Sequence, residues 1–313
     1  MAKKIEWAIS IDKLRVCFIM PPNLYEYLHE HHTRHDQLSN ARILDEDDFF
    51  FVFIEEDDTK MSAVLNVRDT EGYYRLGTFT FSNSSKYEGK AFFTFENSAL
   101  YRIYTILPNG EKKNHICDLI YVSEFYGMTF NNITELELAF DSSFNYISKV
   151  RKMIKDIDNY DLYLNGKKVK DNEVLNGYGE YYSRSRIRLS KLPTLYFSQA
   201  KDTDMKMRIY DKIRELSECS PQKFKYLKEW FGMDEINKLY RIEIVLHNTN
   251  VREFMERYGK ILYDCGEHSN VLNLLGMSDF RLAMFLDSAD RLIYFRNKKS
   301  RIKTSIIELA SGI

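Results

Sequence analysis

Three short stretches of this chain put ionisable side chains at every second residue, the spacing that lines one face of a β-strand. In ITELELAFD, Glu135, Glu137, Ala139 and Asp141 share one face, while Leu136, Leu138 and Phe140 share the other. Carboxylates crowded on one face repel each other. A hard divalent cation such as Mg²⁺ or Mn²⁺, which takes oxygen ligands, would relieve that repulsion; a solvated acidic sheet face is the plainer alternative. YRIEIVLH presents Arg241, Glu243, Val245 and His247 on one side. There Glu243 and His247 could complete a metal shell and Arg241 could meet a phosphate oxygen, or Arg241 and Glu243 could simply pair on a sheet surface. KMRIYDKI, if extended, aligns Lys206, Arg208, Tyr210 and Lys212. A phenol ionises near about pH 10 and is a poor nucleophile at neutrality. Neighbouring cations favour the phenolate and also hold a phosphate for attack.

Other chemistry has less support. His31 and His35 in HEHHTRH are four residues apart, a zinc-compatible spacing, but a metalloprotease H-E-x-x-H would need histidine where Thr33 stands. A solvated helix end explains the run. No phosphate-binding glycine loop, dinucleotide fingerprint or serine-hydrolase elbow occurs.

The elements that must position these residues come from a chain of 313 residues, 44% hydrophobic and 29% charged, long enough for one large or two modest cores. Twenty-two Tyr and 21 Phe against 13 Gly and 5 Pro favour regular, strand-rich structure. The four cysteines (Cys17, Cys117, Cys219, Cys265) are widely spaced and read as reduced, buried thiols. No apolar run approaches a membrane span, and charges interrupt the N-terminal stretch where a signal peptide would be apolar. The expected compartment is therefore the cytoplasm, with no membrane partner. The net charge is −1, but its distribution is uneven: residues 1–60 hold 13 acids and 7 bases, and residues 149–214 hold 9 acids and 16 bases. Residues 291–303 carry six Lys/Arg and no acid. Local basic surface, rather than net charge, attracts phosphate.

Alternation predicts strands at LRVCFIM, DDFFFVFIEEDD, across 73–105, at ICDLIYVSEFYGM, NNITELELAFD, TLYFSQ, KMRIYD and YRIEIVLH. Helical spacing marks PPNLYEYLHEHHTRHDQ, SSFNYISKVRKMIKDIDNY with a Ser N-cap, KIRELSE, QKFKYLKEWFGMDEINKLY and the chain after about residue 265. In QKFKYLKEWFGMDEINKLY, Phe224, Leu227, Trp230 and Phe231 form a packing face, and Lys223, Lys225 and Lys228 are available to DNA. Without a regular βαβ rhythm, the expected class is α+β, mainly antiparallel sheets with flanking helices. The expected organisation is a strand-rich part at 1–130, a catalytic region at 131–265 and a helical basic segment at 266–313.

Taken in order, ISIDKLRVCF, ITELELAFD, TLYFSQAKDTDMKMRIYDKIRE and YRIEIVL resemble the replication initiation factor family, rolling-circle initiators of plasmids with relatives on mobile elements. The second is similar to that family's R-x-D-L-A-x-D, the third to R-x-Y-[DN]-K-x-x-E and the fourth to R-x-E-x-x-L. The resemblance spans roughly residues 8–246, and the tyrosine stretch is its most specific part. It implies an HUH-relaxase-like core lacking the His pair, with Tyr210 nicking one DNA strand to leave a 5′-phosphotyrosine and a free 3′-OH. It implies Glu137, Asp141 and Glu243 as ligands of Mg²⁺ or Mn²⁺, joined by Glu135 or His247. Arg208, Lys212, Arg241 and Lys206 would be phosphate contacts. Glu135 stands where the family has Arg and Glu137 where it has Asp, which bears on the acids more than on Tyr210. The implied partners are a single-stranded or cruciform DNA origin, a host helicase and a second copy of the chain. A non-catalytic DNA-binding regulator and a mobilisation relaxase of an integrative element are the competing readings.

Overall fold

Alternating aromatic and β-branched residues dominate the first 140 residues, and there they form long paired strands. The computed structural model describes residues 7–34, 42–46, 49–57, 59–69, 72–101, 104–106, 112–170, 174–177, 180–183, 194–198, 205–219, 223–225, 227, 238–260 and 271–311. The class is α+β, with a large antiparallel sheet and several helices. The chain divides into two units: Met1–Ile11, Glu137–Glu267 and Met277–Ile313 form the first, Asp12–Leu136 and His268–Gly276 the second.

The strands of the first half are β1 (Trp7–Ile19), β2 (Arg42–Glu46), β3 (Phe49–Asp57), β4 (Lys60–Asp69), β5 (Gly72–Ser82), β6 (Lys90–Phe95), β7 (Tyr104–Ile106), β8 (Lys112–Asn114) and β9 (Thr129–Ser142). The unit boundary cuts β1 after Ile11 and β9 after Leu136. In the second unit, β6, β5, β4, β3 and β2 pair successively and antiparallel. Their core is aromatic: Phe79 stacks on Phe81 at 5.2 Å and meets Phe93 at 4.7 Å and Phe51 at 5.8 Å. Three helices belong to the same half, α1 (Leu24–Arg34), α2 (Asn97–Tyr101) and α3 (His115–Phe125). Helix α2 interrupts the all-strand expectation for 73–105.

Helix α3 corrects the strand expected at ICDLIYVSEFYGM. The Asn114 side chain accepts a hydrogen bond from the Ile116 N–H (2.9 Å) and starts the helix, and Ile116, Leu119 and Val122 are buried at helical spacing. A Cβ on Gly77 would overlap the Thr94 carbonyl oxygen and the Phe93 ring, where the β4–β5 register shifts beside Leu65. Gly77→Ala is therefore expected to cost about 1–3 kcal/mol through overpacking, measured by urea unfolding.

The later strands are β10 (Tyr160–Leu164), β11 (Lys167–Lys168), β12 (Val174–Gly177), β13 (Glu180–Ser183), β14 (Thr194–Ser198), β15 (Lys206–Asp211), β16 (Tyr240–His247), β17 (Ile293–Asn297) and β18 (Lys303–Ser305). The helices are α4 (Ile147–Lys155), α5 (Lys212–Cys219), α6 (Asn248–Phe254), α7 (Ser278–Leu292) and α8 (Ile306–Ser311), with short turns of helix at Met255–Gly259 and Val271–Leu275. In the first unit the large sheet's strands run β14-β15-β16-β9-β1, and a four-stranded sheet runs β11-β10-β17-β18. In the first unit, Phe140 of β9 lies between the rings of Trp7 (5.7 Å) and Phe285 of α7 (5.5 Å). That is the apolar face opposite Glu137 and Asp141.

Three further expectations are corrected. The C-terminal run is not wholly helical: β17 and β18 pair there, because Ile293 and Phe295 alternate inward against Tyr294 and Arg296. Helix α4 follows Tyr146 without a side-chain cap, and Ser142 instead accepts from the Phe144 N–H (3.1 Å) and donates to the Ala310 carbonyl (2.7 Å). Cys17 is buried, but Cys117 is exposed. His35, Lys228, Trp230 and Phe231 lie outside the described residues, as do the side chains of His31 and Cys219 and all of Cys265.

Candidate functional site

Strand β15 pairs antiparallel with β16, and the register sets Arg208 opposite Glu243, Tyr210 opposite Arg241 and Lys206 opposite Val245. Directly opposed residues share a face, so both polar rows fall on one side. β16 and β9 are neighbours in the sheet order, and this brings Glu137 and Asp141 to the same cluster. All of these residues belong to the first unit.

The cluster is tightly paired. Arg241 donates from Nε to Asp141 Oδ1 and from Nη2 to Asp141 Oδ2, both at 2.7 Å, and its Nη1 lies 3.4 Å from Glu243 Oε1. Arg241 and Asp141 are wholly buried. Arg208 Nη2 lies 3.0 Å from Glu137 Oε2 and 2.8 Å from Glu243 Oε2, spanning the two carboxylates. The Tyr210 hydroxyl donates to Glu243 Oε1 and accepts from the Lys212 ammonium at 3.0 Å. Lys212, itself buried at the first position of α5, reaches Glu215 Oε2 at 2.6 Å.

Burial raises the Tyr210 phenol far above its ordinary value; the Arg241 charge opposes this, and Glu243 and Glu215 add to it. The phenol therefore keeps its proton at neutral pH, aimed at Glu243. Tyr146, wholly buried at the start of α4, is also raised well above its ordinary value, by burial first and then by Asp141.

The acids expected at a metal have different surroundings. Both oxygens of Asp141 are taken by Arg241. Glu135 pairs with Lys13 at 2.9 Å. His247 stands at the N-terminal cap of α6, its backbone N–H donating to the Asn250 side chain at 3.0 Å. Glu137 and Glu243 remain, and one oxygen from each lies within 4.8 Å of the other, both within the first unit. This pair, Glu243 buried and Glu137 half-buried, is an oxygen-only donor set, the chemistry a hard divalent cation takes. Among the expected phosphate contacts, Lys206 is exposed and the Arg208 side chain is 36% exposed, while Lys212 and Arg241 are buried.

Sequence reasoning missed Glu215 and Tyr146. Glu215 carries a local signal, since it follows Lys212 by three residues on a helix, where such pairs meet.

No family model matches the chain, and no curated protein matches it. Among solved structures it is similar to the rolling circle replication initiator protein from Geobacillus stearothermophilus, at 15% identity over 90% of this chain and 96% of that one, with a TM-score of 0.37. A similarity of that size assigns no role to any residue. Among the described residues no helix is long and apolar enough to cross a membrane.

Proposed function

We propose that this chain is a divalent-metal-dependent DNA strand transferase that initiates rolling-circle replication or transfer, with Tyr210 as its nucleophile. The observation that carries the reading is the Tyr210 hydroxyl held between a carboxylate that accepts its proton and a buried ammonium that stabilises the resulting oxyanion. The phenol oxygen attacks the scissile phosphorus, its proton passes to Glu243, and the P–O3′ bond breaks. The products are a 5′-phosphotyrosine and a 3′-oxygen that takes up a proton. A cation held by Glu137 and Glu243 would supply charge stabilisation to the phosphate.

Roles within the cluster follow from exposure. Arg208 is the partly exposed cation bonded to the cluster's carboxylates, and it meets the incoming phosphate. Its Nη2 spans the same two carboxylates that would hold the ion, so ion binding and release of Arg208 toward DNA go together. Lys212 touches the reacting oxygen and stabilises its developing charge, and Arg241, holding Asp141 and the β15–β16 face, acts as a positioning residue.

One observation favours the second reading, a DNA-binding regulator. Glu137, Asp141 and Glu243 each already meet a cation, Arg208, Lys212 or Arg241, so every one of these carboxylates is paired without an ion. A single experiment separates the two. The protein is incubated with single-stranded oligonucleotides from its own genetic neighbourhood, with Mn²⁺, Mg²⁺ or EDTA, and run on a denaturing gel. A metal-dependent covalent adduct is the expected result. DNA binding without an adduct on any neighbouring sequence would overturn the nicking reading in favour of the regulator.

A further inference from the structure

The four-stranded sheet β11-β10-β17-β18 lies within the first unit and outside the Tyr210 cluster. Its register puts Tyr163 opposite Tyr294 and Lys168, and Arg296 opposite Asp161 and Lys303, so one face alternates tyrosines with cations. Of the acids near this face, Asp161 and Asp290 are already engaged by cations, Asp156 accepts from Asn159, and Asp158 forms no ion pair among the described residues. Buried Asp161 pairs with Lys168 (2.9 Å) and lies 3.7 Å from Lys298; Asp290 pairs with Lys303 (2.8 Å). By contrast Arg296, Lys299 and Arg301 form no ion pair among the described residues. The Arg296 Nε is buried without a hydrogen-bond partner.

The turn carrying Lys299 and Arg301 is fixed. The Asn297 side-chain oxygen accepts from the N–H groups of Lys299 and Ser300, each at 2.9 Å, and the Asn297 carbonyl accepts from the Arg301 N–H at 3.0 Å. Arg301 is held at φ +62°, a conformation in which glycine would be unstrained. A cation kept at a strained position in the same turn as Lys299, on the hairpin that carries Arg296, makes a surface complementary to a polyanion.

The rings indicate which part of the polyanion is met. Tyr163 and Tyr294 stack on each other at 4.6 Å and 7°, with Arg296 over the Tyr163 ring (5.3 Å) and Lys303 over the Tyr294 ring (4.8 Å). Ring faces used against each other and against cations are not open to bases, whereas single-strand binders offer free faces for stacking. We infer that this face and its turn bind the phosphate backbone of duplex DNA without reading sequence, which would hold the duplex arms beside a nicking site. The choice of DNA rests on the proposed function; the polyanion surface does not.

The test is fluorescence anisotropy of the full chain with a random-sequence duplex, the matching single strand, and phosphatidylserine vesicles as competitor, across a salt series. A variant carrying Arg296→Gln, Lys299→Gln and Arg301→Gly is compared with one carrying Lys86→Gln and Lys90→Gln in the second unit. Because Arg301→Gly relieves strain, unfolding curves should not show a loss that explains weaker binding. The expected result is preference for duplex, and a triple variant whose log K against log salt slope is shallower by about 2–3, at roughly 0.9 per lost phosphate contact. An unchanged slope, tighter single-strand binding, or vesicles displacing the duplex at equal phosphate would each overturn the inference. Adduct formation is scored separately: a shallower slope without any adduct sinks the nicking reading and keeps this surface, and the reverse pattern does the opposite.

Discussion

Replacing Arg241 by methionine is expected to lower the unfolding free energy by about 3–5 kcal/mol, the largest stability effect of any single substitution in the cluster. Asp141 is wholly buried, and both of its oxygens rest on the Arg241 guanidinium at 2.7 Å. Methionine fills much of the same volume but leaves that carboxylate without its counter-charge. The cost arises from the abandoned partner more than from the intrinsic worth of the pair. The double variant Arg241→Met with Asp141→Leu should therefore recover most of the loss. Urea unfolding followed by circular dichroism measures all four corners of this cycle. If the double variant proved as unstable as the single one, Arg241 would be acting through packing or through Glu243 instead. That alternative is concrete, since its Nη1 also lies 3.4 Å from Glu243 Oε1.

The same pair illustrates what a linear sequence reveals and what it conceals. Alternation alone identified the faces of β9, β15 and β16, because a two-residue period follows from strand geometry whatever the partner strand is. It could not reveal that Arg241 stands against Tyr210 and Arg208 against Glu243, since register is set by pairing across about thirty residues. Without register, Asp141 is indistinguishable from Glu137: both are acids on the same face of one strand. Pairing separates them, giving Asp141 to Arg241 and leaving Glu137 beside Glu243 under the more exposed Arg208. The misread elements have equally physical causes. ICDLIYVSEFYGM is apolar enough to satisfy either period, and the Asn114 cap decides for helix. The C-terminal run combines a genuine helix, α7, with a hairpin whose Ile293/Phe295 alternation is only a few residues long, within the length where the two periods overlap.

Tyr210→Phe is expected to abolish the covalent DNA adduct, a loss on the order of 10⁴-fold or more, as removal of a nucleophile does. Its effect on stability should be small, about 1 kcal/mol, the ordinary worth of a hydrogen bond. The reason lies in how the neighbours are shared. Without the hydroxyl, Glu243 still meets Arg208 and Arg241, and Lys212 still meets Glu215 at 2.6 Å. The phenylalanine ring keeps the packing of β15 and the contact beneath the Lys212 ammonium, 5.2 Å from the ring centre. The two readouts together are more informative than either alone. A denaturing gel that loses the adduct while the unfolding midpoint and duplex binding persist identifies Tyr210 as the reacting group. An adduct that survives in Tyr210→Phe excludes Tyr210 as the nucleophile and directs the search to another tyrosine. A large drop in stability would show that the hydroxyl chiefly holds the Glu243–Lys212 network together. The cluster would then be a structural core, and the phenol's buried, protonated state would be its resting role in the fold rather than the ground state of a nucleophile.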